Sequence, residues 1–220
     1  MPVSPYYSDD SVTLYHGDCL EIDAWLAADV LVTDPPYGFG YVSGWDSSDR
    51  AIRNDIGVIA RNAALDKWAP KPAAVFGSWK LPRPSDVRAL VVWDKSDGTG
   101  SGMGDLEAAW GNTHEEIYIL SDWRRNGRRR EPSVICSKTG MRSLSGQVGH
   151  PTPKPVPLME RIISAAPTGA IADPFAGSGS TLIAARNLGR KAIGVEIEER
   201  YCEIVAKRLD QMCLDFEEPA

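Results

Sequence analysis

Short apolar runs alternate with longer amphipathic stretches along the whole chain. Val12, Leu14 and His16 occupy alternate positions and are followed by Gly17-Asp18, which predicts a strand ending in a turn, with a short helix over Glu21 to Ala27. The run Asp29 to Thr33 (DVLVT) predicts a buried parallel strand, and it stops at Asp34-Pro35-Pro36-Tyr37 because two prolines cannot continue a hydrogen-bonded ladder. After a glycine- and aspartate-rich loop to about Arg53, Ile56, Ile59, Ala60 and Ala63 recur at helical spacing. Ala73 to Phe76, Leu90 to Trp93 and Glu116 to Leu120 are strand candidates bounded by Gly, Pro, Asp or Ser. Ser121 to Gly149 has little periodicity and reads as an irregular excursion outside the core. Helical character returns at Pro155 to Ala165. A buried strand, Ala170 to Asp173, then leads through a glycine-rich loop into a helix from Ser180 to Leu188. The strand Lys191 to Val195 ends at Glu196, and the helix after it places Tyr201, Ile204, Val205, Leu209 and Met212 on one face. Strands alternating with helices predict a doubly wound, mostly parallel α/β sheet in a single domain, 1–220, with an insertion at about 121–149.

Composition changes this picture little. The 220 residues are enough for a sizeable core, no apolar run approaches the roughly 18 residues needed to span a bilayer, and MPVSPYYSDD is no secretory signal. A cytoplasmic location is expected. Cys19, Cys136, Cys202 and Cys213 are widely separated and lack ligand spacing, so reduced thiols are expected, with no metal site and no disulfide framework. A net charge of −6 excludes a generally polycationic nucleic-acid binder, but Ser121 to Arg130 (SDWRRNGRRR) concentrates Arg124, Arg125, Arg128, Arg129 and Arg130 against one acid.

Two segments carry candidate chemistry. Asp173-Pro174-Phe175-Ala176-Gly177-Ser178-Gly179-Ser180-Thr181 places glycines where a buried strand turns into a helix, so that backbone can approach a ligand and free N–H groups can meet an anion. Glu196 follows about 20 residues later at the next strand tip, the spacing at which an acid accepts ribose hydroxyls. Loop and acid together point to an adenosine-containing ligand, and the missing GxxxxGK[ST] lysine excludes a P-loop. In the other segment, Asp34 and the Pro35 carbonyl can accept the two N–H groups of an aromatic amine. That favours a pyramidal nitrogen whose lone pair is aimed at a methyl donor. Proline rigidity fixes the geometry, and Tyr37 offers a face on which an extruded base can stack. Such catalysis rests on positioning and electrostatics.

With these motifs in view, the chain resembles the DNA amino-methyltransferases, in the circularly permuted (beta-class) arrangement where DPPY precedes FxGxG. The matching segments are His16-Gly17-Asp18-Cys19-Leu20, Asp34 to Gly38, His150-Pro151-Thr152-Pro153-Lys154-Pro155, and the run on to Glu196. The resemblance implies a Rossmann-like sheet of seven strands, one of them antiparallel, with helices on both faces. It also implies S-adenosylmethionine as cofactor and double-stranded DNA as partner. It implies that Asp18 and Cys19 touch the cofactor's adenine, that Thr152 and Lys154 lie near its methionine end, and that Asp34 faces both cofactor and base. It implies that Asp173, Phe175, Gly177, Ser178, Gly179, Ser180 and Thr181 form the cofactor loop and that Glu196 holds the ribose. Asp34, Pro35, Pro36 and Tyr37 would be catalytic. DPPY is commoner among adenine-N6 enzymes and SPPY among cytosine-N4 enzymes, so adenine is the expected base, with cytosine N4 the alternative.

The interval available for target recognition, Ser121 to Gly149, is short, and its arginines are the expected DNA contacts. Of Trp45, Trp79, Trp93, Trp110 and Trp123, core packing is the default, with Trp45 and Trp123 the exceptions because they lie in polar loops. Gly98 to Gly104 has the composition of a mobile loop and is given no role. RNA or protein-amide methylation needs the same amine geometry, although protein-amide enzymes more often carry Asn at the position of Asp34. A non-catalytic DNA- or cofactor-binding homologue is the rival from another class. A monomer and a homodimer are both compatible with the sequence.

Overall fold

The computed structural model of the chain describes residues 3–36, 58–96, 107, 109–124, 130–136 and 153–214, without the side chains of 212–214. Its strands are β1 (Tyr7–Ser8), β2 (Val12–His16), β3 (Val30–Thr33), β4 (Ala73–Gly77), β5 (Val87–Asp94), β6 (His114–Leu120), β7 (Val134–Cys136), β8 (Ile171–Asp173) and β9 (Ala192–Glu196). The described helices are α1 (Ile59–Trp68), α2 (Val156–Ser164), α3 (Ser180–Asn187) and α4 (Glu199–Leu214).

All nine strands form one sheet in the order β1-β2-β9-β8-β3-β4-β6-β5-β7. The seven from β2 to β5 in that order are the expected set, and within it β6 alone runs antiparallel to its neighbours. Sequence patterning missed the two edge strands because they span only two and three residues. β7 also corrects the reading of 121–149 as wholly outside the core, since Ile135 is buried against it. The carboxyl ends of β2, β3, β4, β5, β8 and β9 therefore share one sheet edge, where ligands bind in open α/β folds. The amino end of β6 meets them there.

Strand alternation feeds two cores. Val30, Val32, Ala74 and Phe76 join Leu158, Ile162, Leu182 and Val205 from α2, α3 and α4. Leu31, Ala73 and Val75 join Ala64 and Trp68 of α1 on the other face, where Trp68 stacks on Trp25 at 5.6 Å. Helices thus cover both faces. Glu21 to Ala27 forms only a 3-10 turn, Ala24–Ala27, that buries Trp25. In α1 the buried stripe is Arg61, Ala64 and Trp68, while Ile59 is 72% exposed. Arg61 tolerates burial because its guanidinium donates to Asn62 Oδ1 and the Pro82 carbonyl. No described helix is long and apolar enough to cross a membrane, and no group of three or more potential metal ligands occurs among the described residues.

Candidate active site

β3 delivers Asp34 to the carboxyl edge of the sheet, with Pro35 buried beside it. Asp34 Oδ2 accepts a 2.5 Å hydrogen bond from the buried Lys154 ammonium, which also lies 3.3 Å from Glu115 Oε2 and 5.1 Å from the centre of the Phe76 ring. Glu115, on β6, accepts from Lys95 at 3.1 Å. Burial alone would lower the Lys154 pKa, but Asp34 and Glu115 reverse this and hold it above the ordinary lysine value. Burial likewise pushes Glu115 up, and the Lys154 and Lys95 ammoniums outweigh it, keeping the carboxyl below the ordinary glutamate range. The resemblance alone places Lys154 near the cofactor's methionine end. Nothing in its local sequence pointed to burial or to Glu115. One signal was available for Glu115: Lys95 and Glu115 flank the facing ends of successive strand candidates.

β8 lies beside β3 and delivers the second carboxylate. Asp173 is buried, and its Oδ1 accepts from Thr33 Oγ1 at 2.7 Å and from the Phe175 N–H at 3.2 Å. Burial outweighs these bonds and a further one from the Thr181 hydroxyl, and pushes Asp173 up to about 6. The loop then turns through Gly177 (φ 51°) and Gly179 (φ 81°) into α3. A Cβ on Gly179 would lie 2.8 Å from Val205 Cγ2, so glycine is required both by conformation and by the packing of α4. Ser178 and Ser180 are buried, and Ser180 Oγ has no hydrogen-bond partner in the structure.

Glu196 ends β9 against this loop. Its Oε2 accepts from the Gly177 N–H at 2.7 Å and its Oε1 from the Glu198 N–H at 2.8 Å, yet burial pushes its pKa up to about 7. Its carbonyl takes the Gly17 N–H at 2.9 Å, which seats the Asp18-Cys19 turn next to it. Asp18 Oδ1 caps the Leu20 N–H, and the Cys19 carbonyl accepts from Trp25 Nε1. Burial raises the Cys19 thiol to about 12, so it is no nucleophile. The structure thus gathers Asp18, Cys19, Asp34, Lys154, Asp173, Phe175, Gly177, Ser178, Gly179, Ser180, Thr181 and Glu196 along the carboxyl edges of four strands.

Comparison with known proteins identifies the family. A family model described as DNA methylase (N6_N4_Mtase) matches residues 93–207. The protein YubD of Escherichia coli (strain K12) is 32% identical over 216 residues, covering 88% of each chain. The chain belongs to this DNA methylase family. The family's methyl donor is S-adenosylmethionine. Among solved structures, the M1.HpyAVI–SAM complex shares the fold at a TM-score of 0.60 and 24% identity, over 90% of this chain and 99% of that one. The cytosine-N4-specific PvuII DNA methyltransferase does so at 0.59 and 16%, over 94% and 89%.

The residues present fit the family's donor. The glycine turns leave backbone accessible, Glu196 is a buried acceptor suited to vicinal hydroxyls, and the unpartnered Ser180 Oγ at the start of α3 is a polar atom in need of a ligand. Tyr37, Thr152, Arg125, Arg128 and Arg129 lie outside the described residues, as does Trp45. Arg124 and Arg130 are exposed, and Arg124 Nε is bonded to both Asp122 oxygens at 2.8 and 2.9 Å. Because β6 is antiparallel, Arg124 leaves the sheet at the edge opposite Asp34. Trp123 does not behave as a loop aromatic: it packs against the core and donates Nε1–H to the Ala165 carbonyl. Among the described residues the exposed tryptophans are Trp79 (61%) and Trp110 (90%), both on connections at the Asp34 edge.

Proposed function

We propose that this DNA methylase methylates adenine N6 in double-stranded DNA, with Asp34, Pro35, Pro36 and Tyr37 as the catalytic segment. The observation that carries the reading is the position of Asp34. It is a carboxylate on a proline-stiffened strand end, one strand away from the Asp173 to Thr181 loop. Asp34 and the Pro35 carbonyl accept the two amine N–H groups, so that the nitrogen lone pair is no longer committed to the ring. Bound S-adenosylmethionine supplies an electrophilic methyl group. Glu196 holds its ribose, Asp18 and Cys19 border its adenine, and Ser178, Ser180 and Thr181 line the loop with Phe175, Gly177 and Gly179. Lys154 and Thr152 serve the methionine end of the cofactor. An aspartate at the first motif position supports adenine over cytosine.

A base inside a duplex is out of reach of such a recessed carboxylate, so extrusion is required. Trp79 and Trp110 on the same edge support contact with unstacked nucleic acid, and Lys80 Nζ lies 5.6 Å from the Trp79 ring, adding positive charge there. The experiment is incubation with methyl-labelled S-adenosylmethionine and unmethylated duplex DNA, then nucleoside mass spectrometry. Labelled N6-methyladenine is expected. N4-methylcytosine overturns the choice of base, and no labelled nucleoside overturns DNA as the substrate.

A further inference from the structure

We propose that Glu115 is a positioning residue for methyl transfer, the counter-ion that lets Lys154 release Asp34 to the incoming amine. The inference rests on the reading of Asp34 as the amine acceptor.

Four charges form a chain in the order Lys95, Glu115, Lys154, Asp34, with contacts of 3.1, 3.3 and 2.5 Å. Among the described residues two positive and two negative groups offset one another, and burial strengthens their pairing: the Lys154 side chain is 7% exposed and that of Glu115 17%. The contacts are unequal. Lys154 leans on Asp34, whereas Glu115 Oε2 is buried and, at 3.3 Å, has no aligned hydrogen-bond donor. The longer contact leaves room for the ammonium to move a few tenths of an ångström toward Glu115.

That slack matters because the oxygen Lys154 occupies belongs to the carboxylate that must take the amine. A carboxylate accepts more than one hydrogen bond, but the more of the Lys154 charge Asp34 alone carries, the weaker an acceptor it is for the amine. Glu115 shares that charge. When the amine N–H takes Asp34, the ammonium moves onto Glu115 Oε2, and Lys95 keeps Glu115 ionised and oriented. The Phe76 face, 5.1 Å from Nζ, bounds the ammonium on a third side. Register fixes the whole assembly: Glu115 is opposite Trp93 on β5, and β6 follows β4, whose Phe76 neighbours Ile117.

The test compares Glu115→Gln, Lys154→Met and the double variant in single-turnover methyl transfer, with S-adenosylmethionine affinity and Tm measured on each. Glu115→Gln keeps the shape and removes the charge. Loss of one charge-assisted contact predicts a fall of about 10- to 100-fold in the transfer rate. S-adenosylmethionine affinity should stay within about twofold. In the Lys154→Met background Glu115→Gln should cause no further loss, since Glu115 acts through Lys154. A wild-type rate in Glu115→Gln, or full multiplication of the two losses, overturns the proposal. Side-chain ¹⁵N NMR of the Lys154 ammonium is independent of turnover. Its signal should disappear at lower pH in Glu115→Gln than in the wild type, and an unmoved signal overturns the arrangement even if the wild type methylates another substrate.

Discussion

Glu196 makes a pH dependence of cofactor binding unavoidable if it is the ribose acceptor. Its folded pKa of about 7 stands above the 4.5 of an ordinary glutamate, a preference for the protonated carboxyl of roughly 3 kcal/mol set mainly by burial. Ribose hydroxyls donate, so only the carboxylate is fully complementary to them. The apparent Kd for S-adenosylmethionine should therefore be nearly constant above pH 8 and weaken about tenfold between pH 8 and pH 6. Binding at pH 7 should release about half a proton. Folding runs the other way: a raised folded pKa contributes stability that is complete below the unfolded value near 4.5 and is lost as pH rises through about 7. The buried Asp173, raised to about 6, acts in the same direction from 3.8 upward. The ligand-free Tm should thus rise on mild acidification while the cofactor-induced Tm increment shrinks. Isothermal titration calorimetry in two buffers of different ionisation enthalpy measures both the affinity and the proton count. Glu196→Gln should weaken binding about 10- to 100-fold at pH 8 and leave only the residual slope below pH 6 that Asp173 supplies. A wild-type Kd that is equal at pH 6 and pH 8, with no proton released, refutes the assignment.

The other expectations concern separate parts of the molecule. Asp34→Ala should abolish methyl transfer while S-adenosylmethionine affinity stays within a few-fold; equal loss of both would show that Asp34 builds the cofactor site and not the amine site. Gly179→Ala places a Cβ 2.8 Å from Val205 at a φ of 81°, and should cost about 1–3 kcal/mol by denaturant unfolding, with Gly179→Ala/Val205→Ala recovering the steric part. Arg124→Ala should leave the salt dependence of DNA binding unchanged, because its guanidinium is held by Asp122 at the edge opposite Asp34. Joint replacement of Arg125, Arg128 and Arg129 should lower the slope of log K against log salt by about 0.9 for each phosphate contact removed, and an unchanged slope takes that segment out of the interface.

The sheet was legible because every inner strand is a dense apolar run ended by a chemically distinctive residue. Asp34, Asp173 and Glu196 each terminate such a run, and the glycine loop sits between two of them. What resisted reading was burial of charge. Arg61 lies in the stripe that packs on the sheet while Ile59 faces solvent, because a hydrophobicity pattern cannot register a guanidinium whose donors are met by Asn62 and by a carbonyl 21 residues away. Trp123 looked exposed for the same reason: its polar neighbours gave no sign of the Ala165 carbonyl that satisfies its indole.

Lys154 and Glu115 are the extreme case, and they show why catalytic acids are easier to find from sequence than their counter-ions. Asp34 is marked by the rigid prolines that its own task demands, so its signature is local. Lys154 is 120 residues from Asp34, and its contact with Glu115 exists because β6 inserts antiparallel between β4 and β5 and brings Glu115 to the same edge. A counter-ion needs charge, reach and burial but no particular neighbours in sequence. It follows that placing the carboxylate elsewhere on that edge should serve as well. A Glu115→Gln chain with an acid restored at Thr113 should regain transfer only if the new side chain lies on the Lys154 side of β6. Thr113 continues the ladder, its carbonyl accepting from the Lys95 N–H, and alternation puts it on the side of Glu115. Recovery would separate the need for a nearby negative charge from any need for glutamate at 115 itself.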